Sequence, residues 1–107
     1  MNKSNRSPRY ELMYEAIMSL KDLDECHNFF SDLCTVAELQ AMEQRFHVAW
    51  LLNKGCIYND IVAKTGASSA TISRVKRSLQ YGADGYPPVF ERLEAEGLGG
   101  EDDAAEN

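Results

Sequence analysis

Between Tyr58 and Leu79 the chain reads YNDIVAKTGASSATISRVKRSL: a helical period of about two turns, a glycine, and a second period opened by serine. Gly66 suits the positive φ that a tight turn between crossing helices needs, and Ser68 suits an N-cap. In the second period Ile72, Val75 and Leu79 recur at spacings of three and four and turn inward. That leaves Ser69, Ala70, Ser73, Arg74, Lys76 and Arg77 facing outward. Small and hydroxylated side chains at the front of a helix let its first turn approach base edges, and cations beside them suit the phosphates bordering a major groove. The spacing therefore predicts a DNA-reading surface. Ser69, Ala70, Thr71 and Ser73 stand at the bases, the capping Ser68 belongs to the same DNA-binding surface, and Lys64, Arg74, Lys76 and Arg77 stand at the phosphates.

Whole-chain charge argues the other way, because 11 basic residues face 17 acidic ones and the formal net charge is -6. The average misleads. Six carboxylates (Glu94, Glu96, Glu101, Asp102, Asp103, Glu106) fall in the last fourteen residues, so Met1 to Leu93 carries 11 of each sign. No acid occurs from Ile61 to Ala83, which makes one face locally positive within a neutral body. Enzyme chemistry finds no foothold: there is no nucleophile motif, phosphate-cradling glycine loop or pair of carboxylates set for acid–base work. Cys26, His27, Cys34 and His47 lack the C-x-x-C or H-x-x-x-H spacing of a zinc site, and neither metal nor cofactor is expected. Three cysteines without a paired motif fit reduced thiols. The longest apolar run, Val48 to Leu52, is far short of a bilayer span, and the polar N-terminus does not read as a secretory signal. A cytoplasmic protein is expected, with no membrane partner.

The elements that must position this surface are all helical. Ser7 and Pro8 open a helix to about Lys21, with Tyr10, Met13, Ala16, Ile17 and Leu20 on one side. Asp22 and Glu25 form a capping-box pattern ahead of Cys26, Phe29, Phe30 and Leu33. Thr35 and Glu38 repeat it ahead of a long helix to Lys54, whose apolar positions (Leu39, Met42, Phe46, Ala49, Trp50, then Ala41, Val48, Leu51, Leu52) spread over more than one face. That helix should be covered from two sides. Gly55 ends it, two short helices fill Asn59 to Tyr81, Gly82 to Pro88 reads as a turn, and Val89, Phe90 and Leu93 mark a last helix. One helical domain over residues 1–97 is expected, followed by an acidic disordered tail at 98–107.

Taken together, Thr35 to Leu79 resembles the tryptophan repressor superfamily, and T-G-A-S-S-A-T-I-S-R-V with the later Q-Y-G-A-D-G-Y is similar to its YerC/YecD-like branch. The strongest elements are T-V-A-E-L opening the long helix, Arg45 within it, Gly55 ending it and A-T-I-S-R in the second reading helix. The resemblance implies an all-α, six-helix Trp-repressor-like fold with a helix-turn-helix, an intertwined homodimer, and double-stranded DNA bound at a pseudo-palindromic site. Two reading heads would lie roughly 34 Å apart. It also implies that Asn59 reaches DNA and that Thr35, Arg45, Arg74 and Ser78 form an effector pocket. Val75 stands where the repressor has a glycine beside its ligand, and the connection from Gly55 to Gly66 is one residue shorter, which implies a small effector other than tryptophan or a repressor already fixed in its binding shape. Val62 is larger than the alanine usual at the helix crossing, and Thr65 more polar than the usual leucine. The expected function is a DNA-binding transcription regulator, a repressor by resemblance. The alternative is an all-helical protein–protein interaction module that keeps the motif without binding DNA.

Overall fold

The computed structural model describes residues 8–99. Among them are six helices and no strand: α1 (Pro8–Met18), α2 (Leu23–Leu33), α3 (Val36–Asn53), α4 (Tyr58–Thr65), α5 (Ser69–Tyr81) and α6 (Tyr86–Ala95). The all-α expectation holds. The chain falls into two compact units, Met1–Gln40 and Ala41–Asn107, with the boundary inside α3.

In the first unit, α1 stops at Met18 rather than Lys21. The Ser19 N–H donates to both the Glu15 and Ala16 carbonyls and the Leu20 N–H to Ile17, a tightened last turn. The next N–H, that of Lys21, is already taken by a Glu25 carboxylate oxygen at 3.0 Å, while the Glu25 N–H donates to Asp22 Oδ1 at 2.8 Å. The anticipated capping box is thus complete, and it ends one helix by starting another. The Ser7 cap lies outside the described residues. From Tyr10 to Gln40 no residue is buried, and large apolar side chains stand open: Met18 is 84% exposed, Val36 74% and Leu23 72%.

The second unit holds the core. Four consecutive residues of α3, Val48 to Leu51, are buried, so this stretch is covered around its whole circumference. Cys56, Ile61, Ala67, Ile72, Val75 and Phe90 close over it, with Val62, Leu79 and Leu93 packed against their edge. Phe90 gathers the aromatic contacts, edge-on to Trp50 at 5.4 Å and to Phe46 at 5.7 Å and stacked on Tyr86 at 5.3 Å. This cluster fixes α6 against α3. Lys54 adds a second tie, its ammonium 4.7 Å from the Trp50 ring centroid and 2.5 Å from a Glu94 carboxylate oxygen.

The start of α6 also differs from expectation. α6 begins at Tyr86, inside the stretch read as a turn, because Pro87 and Pro88 occupy the first turn, where a missing N–H costs no intrahelical bond. Beyond α6 the Leu98 N–H donates to the Leu93 carbonyl at 2.8 Å, and Gly99 lies so close to the Trp50 ring that a Cβ there would overlap it. The rest of the acidic segment lies outside the described residues.

Candidate nucleic-acid interface

The turn joining α4 to α5 is built almost entirely from its own side chains and backbone. Gly66 sits in the left-handed region at φ 69°, and its N–H returns to the Val62 carbonyl at 2.8 Å. Thr65 Oγ1 donates to the Ile61 carbonyl at 2.7 Å and accepts from the Ala67 N–H at 3.1 Å. Here the unusual polarity of Thr65 finds its reason: the hydroxyl closes the turn from within. Ser68 then caps α5, its Oγ accepting from the Thr71 N–H at 3.1 Å and donating to Thr71 Oγ1 at 3.1 Å. Ser68 and Thr71 are therefore engaged in holding the helix start.

α5 divides cleanly into two faces. Ile72 and Val75 are buried, with Leu79 half-buried behind them. Ser68, Ser69, Ala70, Ser73, Arg74, Lys76 and Arg77 are exposed, and Thr71 is half-buried at the boundary. Asn59 is exposed in the first turn of α4, beside Asp60. The Arg77 guanidinium lies 5.9 Å from the exposed Tyr81 ring, which keeps its long side chain extended along the helix. Lys64 is placed differently from the other cations. It is half-buried, and its Nζ is shielded from solvent with no hydrogen-bond partner among the described residues.

The residues assigned by resemblance to an effector are each placed by their own element. Thr35 makes a reciprocal capping box with Glu38: the Thr35 N–H donates to Glu38 Oε1 at 2.9 Å and Thr35 Oγ1 accepts from the Glu38 N–H at 3.1 Å. These two bonds, the backbone one first, hold the Glu38 carboxyl below its ordinary value. Arg45, Arg74 and Ser78 are exposed. Ser78 lines a cavity of about 420 Å³ with Phe46, Gly82, Ala83, Gly85, Tyr86 and Val89, and neither arginine lines it.

One residue escaped the sequence reading. Gln44, on α3, donates from Nε2 to the Thr65 carbonyl at 3.1 Å across 21 positions of chain. Its only signal was its place one turn before buried Val48.

Across this arrangement the Trp repressor protein family model matches residues 9–94. The chain belongs to the Trp repressor family. The YerC protein of Bacillus subtilis (strain 168) is 49% identical over 88 residues, covering 82% of this chain and 85% of that protein. A crystal structure of a TrpR-like protein from Eubacterium eligens ATCC 27750 is 54% identical with a TM-score of 0.81, over 87% of this chain and 96% of that one. A candidate Trp repressor from Staphylococcus aureus matches at 43% identity and a TM-score of 0.81, over 86% and 92% of the two chains. As a Trp repressor family member, the chain keeps the serine-capped α5 and the glycine turn in the part of the sequence that the family model spans. No described helix is long and apolar enough to cross a membrane.

Proposed function

We propose that this Trp repressor family member is a homodimeric helix-turn-helix regulator that reads a pseudo-palindromic DNA site with α5. The observation that carries the reading is the split of α5 into a buried apolar stripe and an exposed face of small, hydroxylated and cationic side chains, in a stretch free of acids from Ile61 to Ala83. Ser69, Ala70, Thr71 and Ser73 approach the base edges. Arg74, Lys76 and Arg77 contact phosphates, and Lys64 joins them on turning its ammonium outward. Asn59 reaches the backbone from the start of α4.

Dimerisation rests on a separate observation. From Tyr10 to Gln40 no residue is buried, and the exposed Met18, Leu23, Leu33 and Val36 leave an apolar surface that a soluble monomer rarely shows. A second copy covers it and sets two α5 helices on one duplex face. The effector of this family member enters the cavity beside Ser78, with Phe46 and Tyr86 as its apolar walls; Val75, adjacent in sequence to Arg74, fits an effector other than tryptophan.

A salt titration of binding to random-sequence duplex tests the reading. Each phosphate contact made on DNA releases counterions, so affinity should fall steeply and linearly in log–log form, with about 0.9 of slope per contact. A flat salt dependence, or no binding at low salt, would leave the interaction-module alternative in its place.

A further inference from the structure

The turn between α4 and α5 is held mostly by its own residues, with one bond arriving from α3. Gly66, Ala67 and Thr71 place their N–H groups on Val62, Thr65 Oγ1 and Ser68 Oγ, and the Ile61 carbonyl receives the Thr65 hydroxyl. The carbonyl of Thr65, the last residue of α4, has a donor from outside, the Gln44 amide of α3. A carbonyl only accepts, so the group facing it must be the amide nitrogen. Gln44 lies one turn before Val48, whose side chain is wholly buried. The donor is therefore carried on a helix that the core immobilises. An amide held this way fixes the height and tilt at which the chain leaves α4, and hence the direction in which α5 sets out.

We propose that Gln44 is a positioning residue for the reading helix, governing discrimination between DNA sequences rather than bulk affinity for DNA. The inference rests on α5 being the DNA-reading element. Phosphate contacts made by long flexible cations tolerate a small rotation of α5, whereas base-edge contacts from Ser69, Ala70 and Ser73, with one or two heavy atoms of reach, do not. Releasing the Thr65 carbonyl should therefore lower specific binding and spare non-specific binding.

The test uses Gln44→Met, which keeps the length of the side chain and removes the donor. Losing one such bond shifts the held turn by about threefold, and two reading heads on one duplex compound this to about tenfold. The ratio of specific to non-specific affinity should fall about tenfold, while the salt slope, the non-specific affinity and the dimer mass remain those of the unsubstituted protein. Amide exchange at Gly66, Ala67 and Thr71 should quicken in the free variant, while that at Val48 to Leu51 stays unchanged, which separates a loosened turn from a damaged core. An unchanged ratio, an equal fall in both affinities, or unchanged exchange at the three turn amides overturns the inference. If the unsubstituted protein shows no salt-dependent DNA binding, the DNA reading itself fails, and the exchange measurement still decides whether Gln44 holds the turn.

Discussion

At the residue scale, two side chains carry unlike duties on neighbouring turns of α5. Ser73 is short and exposed on the face that would meet bases, and Lys76 is long and exposed where it would meet a phosphate. Ser73→Ala should relax preference at one base pair, by about 1 kcal/mol, with little change in non-specific affinity. Lys76→Ala should weaken all duplexes alike and reduce the salt slope by about one unit. Parallel titrations on a selected site and on random DNA separate the two. Ser68 acts on stability instead: its Oγ bond to the Thr71 N–H is a helix cap, and Ser68→Ala should lower unfolding free energy by about 1 kcal/mol in denaturant titration. Glu38 gives a pH dependence. Its capping bonds hold its carboxyl below the ordinary glutamate value of 4.5 in the folded protein, so its contribution is present above that pH and is lost as pH falls through the lower folded value. Acid titration of Glu38→Gln, which retains an acceptor without titrating, should show a shallower loss of stability below about pH 4.5 than the native protein.

At the scale of elements, the sequence is legible wherever a local signal decides the outcome. The Asp22–Glu25 and Thr35–Glu38 boxes, the Gly66 turn and the Ser68 cap each involve residues within four positions of one another, and each forms as its pattern predicts. Of the inward set Ile72, Val75 and Leu79, the first two are buried and the third half-buried for the same reason, a helical period with one apolar side. The misplaced ends share a different cause. α1 stops early because Glu25 of the next helix claims the Lys21 N–H, and α6 starts early because prolines that read as turn residues also serve a first helical turn. Lys64 was read as an outward cation, yet its aliphatic stem and ammonium turn from solvent, a rotamer outcome no spacing rule supplies. Gln44 was invisible because its bond joins residues 21 apart. At this scale the account predicts that Gly66→Val destabilises the α4–α5 pair, since a β-branched residue at φ 69° is strained. Faster exchange of the Ala67 and Thr71 amides would register it.

For the whole molecule, the uneven distribution of burial is decisive. Among the described residues the buried core runs from Val48 to Phe90 and no side chain from Tyr10 to Gln40 is buried, a distribution that the proposed dimer would complete. Folding and association then coincide, so the thermal midpoint should rise with protein concentration. Two-fold pairing, as proposed, would also turn a single α5 into a reader of inverted repeats. The measurement that bears most directly on this is selection of bound fragments from random duplex DNA by the purified full-length protein. The account predicts recovery of an inverted repeat whose half-sites are centred about one helical turn, roughly 34 Å, apart. Recovery of an unenriched pool, or of a single unpaired half-site, would contradict it.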